Sequence, residues 1–87
     1  MGTRPRLRPK RLAEKLLQVR TVLGLSQTEM LKRLGVEELI NYKQISKYET
    51  GKGEPMLIIL LRYARVARVS MEVLVDDELD LPMRLRQ

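Results

Sequence analysis

The sequence predicts an all-α domain built from five short helices. Three observations predict this. Apolar residues recur at helical spacing, as in Leu12, Leu16, Val19 and Leu23. No stretch of any length alternates as a strand would. Capping residues open the periodic segments (Ser26, Asn41, Ser70) and glycines close them (Gly24, Gly35, Gly51). A length of 87 residues suits one domain with a modest core, which pairing with a second copy would enlarge.

Residues 1–9 read as an extended basic arm. Pro5 and Pro9 hold their predecessors extended, and Arg4, Arg6 and Arg8 repel one another. The first helix is expected from near Pro9 to Gly24, with Leu17 and Val22 widening its apolar stripe. The second spans Gln27 to Leu34. Ser26 caps it, Glu29 completes a capping box, and Met30, Leu31 and Leu34 point inward. A connection, VEELIN, covers residues 36–41. The third helix runs from Tyr42 to Thr50, capped by Asn41, with Ile45 and Tyr48 inward and Gly51 in the left-handed position beyond it. A charged loop follows at 51–54. Pro55 suits the first turn of a fourth helix that reaches Arg68, with Leu57, Leu60, Ala64 and Ala67 as its core stripe. Ser70 caps a fifth, Met71 to Val75. The expected organisation is therefore an arm (1–9), a helical domain (10–76) and a partly mobile C-terminal tail (77–87) beyond which Pro82 discourages further helix.

Composition excludes several kinds of chemistry. There is no cysteine and no histidine, so disulfides, thiolate or imidazole metal sites and Cys/His nucleophiles are absent. No catalytic motif stands out, and neither enzymatic activity nor a cofactor is expected. The acidic run Asp76, Asp77, Glu78 and Asp80 reads as a tail or as a partner for the basic arm, because consecutive carboxylates rarely converge on one ion. The longest apolar run, Met56 to Leu61, is far short of the ~20 residues of a membrane span. The basic segment Arg4 to Arg11 has no apolar region after it and does not read as a signal peptide. A cytoplasmic protein with no membrane partner is the expectation.

The net charge of +6 is unevenly placed. Residues 1–20 carry seven basic side chains against Glu14 alone, whereas residues 21–87 carry equal numbers of each sign. The excess is thus a property of the arm and first helix, an electrostatic footprint for nucleic acid or an anionic membrane. The alternative is a solubilising tail. The second and third helices, with the third carrying Tyr42, Lys43, Gln44 and Lys47 around Ile45, suggest a helix-turn-helix.

The residues Leu16 to Arg20, Gly24-Leu25-Ser26-Gln27, Glu29-Met30, Leu34-Gly35-Val36, Ile45 to Lys52, Pro55, Leu60, Ala64, Val69-Ser70 and Leu74 together resemble the XRE family, the helix-turn-helix regulators of the Cro and phage-repressor type. The resemblance covers about 60 residues. It implies a compact five-helix bundle that binds double-stranded operator DNA as a homodimer. By that resemblance Gln27 contacts a phosphate from a helix N-terminus. Asn41, Tyr42, Lys43, Gln44 and Lys47 lie on or beside the face that enters the major groove. Lys suits guanine, Gln suits adenine and Tyr suits a thymine methyl or a phosphate. Lys52 clamps a phosphate past the third helix. The charge of the arm, and not the resemblance, suggests that Arg4, Arg6 and Arg8 follow a minor groove or the backbone, the alternative being a flexible tail that gives only salt-dependent, non-specific affinity. Arg20 and Glu49 match a structural ion pair between the first helix and the end of the third.

Two departures from the family pattern stand out. About four residues, Glu37 to Ile40, are extra between the Val36 and Ile45 positions. Either the second helix gains a turn, or the connection bulges with Leu39 and Ile40 tucked onto the core. Leu31 also stands where the family favours Ala, which would push the third helix outward unless the longer connection makes room. In the fourth helix Ile58 and Ile59 face away from the expected stripe. With Val66 and Val69 they form either a dimer interface or a surface covered by Leu79 and Leu81 of the tail. The functional expectation is a sequence-specific transcriptional regulator, a repressor without cofactor. The alternative is an antitoxin-type module that binds a toxin as well as its own operator. Binding to a defined duplex at physiological salt separates the first from co-purification with a small protein partner. RNA binding through the basic arm is a third, weaker reading.

Overall fold

The structure, a computed structural model, describes residues 8–82. The first helix, α1, spans Leu12–Leu23 and starts later than Pro9. No local side chain caps it. Instead the Asp77 carboxylate accepts hydrogen bonds from the Lys10 and Arg11 N–H groups, at 2.9 and 3.0 Å. A cap some 66 residues away in the chain sets where α1 begins. At the other end Gly24 takes φ 71°, and the N–H groups of Gly24 and Leu25 close onto the carbonyls of Thr21 and Arg20. Nothing lies within 4 Å of where a Cβ at Gly24 would sit, so glycine is favoured there by backbone conformation and not by space. The buried row is Leu12, Lys15, Leu16 and Val19. Leu17 and Val22 remain exposed, so the stripe is narrower than expected and Lys15 is part of it.

The second helix, α2, spans Gln27–Leu34, as expected. Its capping box is complete. Ser26 Oγ accepts from the Glu29 N–H, and the Ser26 N–H donates to Glu29 Oε1 at 2.8 Å. Hydrogen bonding from the Ser26 N–H, and then from the Ser26 hydroxyl, holds the Glu29 carboxyl below its ordinary pKa. Gly35 ends the helix, and Arg62 reaches across to donate to the Leu34 carbonyl.

The lengthened connection does not extend α2. The N–H groups of Leu39 and Ile40 both bond to the Val36 carbonyl, which makes one closed turn. Val36 is buried and Ile40 packs on the core, but Leu39 is 57% exposed, so only one of the two expected residues tucks in. Leu31 is buried at the edge of the core.

The third helix, α3, spans Tyr42–Glu49, with the Asn41 side chain accepting from the Lys43 N–H. The fourth, α4, spans Leu57–Ala67, two residues later than Pro55. Pro55 is buried ahead of the helix, and Met56 occupies the N-cap. This corrects the expected stripe. The inward row is Ile59, Leu60, Tyr63, Ala64 and Ala67, and Leu57 stands 75% exposed. The fifth, α5, spans Met71–Val75, capped by Ser70.

Beyond α5 the described residues, up to 82, pack against the domain. Leu81 is buried in the core cluster. Lys15, 1% exposed, donates through Nζ to the Val73 and Asp76 carbonyls at 2.9 and 2.8 Å. Arg11 donates to the Asp77 carbonyl and to Asp80 Oδ1. Residues 76–81 therefore strap across the start of α1. Overall, α1 packs on α3, α4 and α5, and α2 packs on α3 and α4. The core is aliphatic apart from Tyr48 and Tyr63. Tyr63 is fully buried with no hydrogen-bond partner for its hydroxyl among the described residues, and burial pushes its pKa up.

Candidate nucleic-acid interface

The outer face of α3 follows from how its inner face is held. Ile45 and Tyr48 sink into the core, which leaves Tyr42, Lys43 and Lys47 exposed and Gln44 half-buried beside them. Lys43 and Lys47 are one helical turn apart and share a face. Asn41 spends its side-chain oxygen on the Lys43 N–H, so its amide nitrogen is the end able to donate to a partner. Past the helix, the N–H groups of Lys52 and Gly53 both bond to the Lys47 carbonyl, which turns the chain sharply and leaves the Lys52 side chain exposed.

The end of α3 is clamped. Arg20 Nε donates to Glu49 Oε2 at 2.6 Å, and the far guanidinium nitrogen donates to Oε1 at 3.0 Å. Its third nitrogen reaches the Leu25 carbonyl. The Glu49 side chain is 4% exposed. Hydrogen bonding to Glu49 pushes the Arg20 pKa above its ordinary value, outweighing the opposing effect of burial. Gln27 joins the same cluster, donating from Nε2 to Glu49 Oε1 at 3.3 Å. The side chain expected to meet a phosphate is thus also a brace between α2 and α3.

Arg8, the one described member of the expected arm set, pairs with Glu54 Oε2 at 2.9 Å. It is therefore brought to the loop that carries Lys52. Arg4 and Arg6 lie outside the described residues. Of the expected dimer residues, Ile59 is removed, because its side chain is fully inside the core. Ile58 is exposed, while Val66 and Val69 are partly buried against the core. The exposed apolar groups that differ from the sequence reading are Leu17, Val22, Leu39, Met56 and Leu57. Among the described residues no group of acidic side chains is arranged to hold a metal ion, and no helix is long and apolar enough to cross a membrane. Asp77 of the acidic run is occupied as the cap of α1, and Asp76 accepts from the Glu78 N–H.

A family model for the helix-turn-helix domain matches residues 16–74. The chain belongs to this family, as an XRE-type helix-turn-helix protein. Members of this class are DNA-binding transcription regulators, and that is the class of this protein. The match begins inside α1 and ends inside α5, so the helix-turn-helix region takes in the Arg20–Glu49 clamp and α3 but neither the arm nor the strap at 76–81. Comparison with curated proteins and with solved structures gave no significant match.

Proposed function

We propose that this protein is a sequence-specific repressor that acts as a homodimer and reads the major groove of operator DNA with α3. The observation that supports the reading best is the division of α3 between a buried face, Ile45 and Tyr48, and an exposed one, Tyr42, Lys43 and Lys47, with its end clamped through Glu49. A helix held this firmly offers its outer side chains in fixed register, as direct readout of base edges requires. Lys43 and Lys47 read bases, with Gln44, Asn41 and Tyr42 beside them. Gln27 and Lys52 position the backbone, and Arg4, Arg6 and Arg8 add affinity along the duplex. The protein works in the cytoplasm, where its DNA is.

Selection of bound duplexes from a random pool tests this. The expected outcome is a palindromic site. Replacing both Lys43 and Lys47 by Ala should abolish specific binding, at about 1–3 kcal/mol for each lost base contact, and leave the melting temperature nearly unchanged. A double variant that still selects the same site, or one that unfolds, would overturn the assignment.

A further inference from the structure

Resting on the reading of α3 as the DNA-facing helix, we propose that Glu54 is a positioning residue for DNA binding. It holds the Arg8 guanidinium by one edge, on the loop that carries Lys52, so that the other edge meets the phosphate backbone beside the phosphate that Lys52 takes. Arg8 Nε donates to Glu54 Oε2 at 2.9 Å, and the Arg8 side chain is still 48% exposed. Among the described residues Arg8 makes no other hydrogen bond. A guanidinium held at Nε keeps its two terminal nitrogens, a planar pair of donors that suits phosphate oxygens. A carboxylate can only accept, so Glu54 has no attraction of its own for phosphate, and Arg8 stands as the cation that offsets its charge. No family role covers the pair. Arg8 precedes the matched residues 16–74, and Glu54 is not among the residues that carry the resemblance.

The backbone on both sides of the pair is already fixed. Asp77 holds the N–H groups of Lys10 and Arg11. Pro9 between them and Arg8 sets its own φ and keeps Arg8 extended. Across from Arg8, the N–H groups of Lys52 and Gly53 close on the Lys47 carbonyl. Little chain therefore remains to be ordered when a phosphate arrives, which lowers the cost of binding it. Place supports the same role. Arg8 and Lys10 face Gly51, Gly53 and Glu54 across a hollow of about 240 Å³. Glu54 also lines the neighbouring groove with Gln44, Lys47 and Lys52. Of the residues common to the two, Tyr48, Gly53 and Glu54, only Glu54 carries charge, and it links the root of the arm to the edge of the reading face. An exposed ion pair adds little to stability, so the consequence of this one is read in binding.

The test measures what Arg8→Ala costs in two backgrounds of the full chain. In the wild type it should weaken duplex binding about fivefold or more and lower the slope of log affinity against log salt by about 1. In Glu54→Ala the same change should cost about twofold or less, because an Arg8 that nothing holds no longer finds the phosphate. Melting temperatures should be nearly unchanged throughout. Equal costs in the two backgrounds would refute the proposal. So would a larger cost in Glu54→Ala, which would mean that Glu54 withholds Arg8 from DNA. The comparison is run on the selected duplex and on one of unrelated sequence. Phosphate contacts carry no sequence information, so the dependence of Arg8 on Glu54 should appear on both. If no duplex is selected from the pool, the reading of α3 fails, and the unrelated duplex still decides the role of Glu54 by the same two costs.

Discussion

The two ends of α1 are both tied down by charged side chains, and the ties are built differently. At the C-terminal end Arg20 meets Glu49 in a two-point contact, with the carboxylate almost sealed from water and Gln27 on one of its oxygens. At the N-terminal end Arg11, Lys15 and the Lys10 backbone meet residues 73–80, mostly through backbone carbonyls and half-buried or exposed carboxylates. The first tie joins two side chains in a dry place. The second joins side chains to backbone at a wet edge, with only Lys15 truly inside. Charge in the first is therefore costly to strand, whereas in the second most of it is screened by solvent.

The comparison can be broken or sharpened by substitution. Glu49→Ala should have the largest effect, about 3–5 kcal/mol of stability in urea unfolding, because it leaves the Arg20 guanidinium without its buried partner. A loss as small as that of a surface pair would mean that the clamp is solvated. Next comes Lys15→Ala, which frees the Val73 and Asp76 carbonyls and removes a buried stem. A loss of about 2–3 kcal/mol is expected, and Lys15→Met should recover part of it by refilling the space. Equal losses for Ala and Met would place the whole contribution in the amino group.

The smallest effect belongs to Asp77. Hydrogen bonds from the Lys10 and Arg11 N–H groups hold its carboxyl below the ordinary carboxylate range. A depressed folded pKa means that the contribution is present above the unfolded value, about 3.9, and is lost as pH falls through the lower folded one. Asp77→Asn should therefore be less stable than the wild type at neutral pH, with the gap closing on acidification. Thermal melts between neutral pH and the acid limit measure it, and a constant gap would count against an ionic cap.

Legibility in the sequence follows the same division. Where the signals are local, the reading was close. Ser26 with Glu29 and Gly35 delimit α2, Ser70 delimits α5, and α3 ends one residue earlier than expected. Where the decisive partner is distant, it was not. The start of α1 is set by Asp77, and the burial of Lys15 depends on carbonyls at the far end of the chain, so neither has a signature in its neighbours. In α4 the helix begins at Leu57, and its inward row holds Ile59 where Leu57 was expected; an apolar run of six gives no polar face by which to choose. The Arg20–Glu49 pairing came through the family resemblance, since a separation of 29 residues carries no periodic signal.

The closed turn at 36–40 has a consequence for how this domain can vary. Both Leu39 and Ile40 hang from one carbonyl, that of Val36, and Asn41 restarts the backbone with its own cap. The extra residues thus form a self-contained loop between two fixed anchors, and α3 is aimed by Ile45, Tyr48 and Glu49 rather than by the length of the linker before it. The connection itself contributes a buried Val36, a half-buried Ile40 and an exposed Leu39 to the domain.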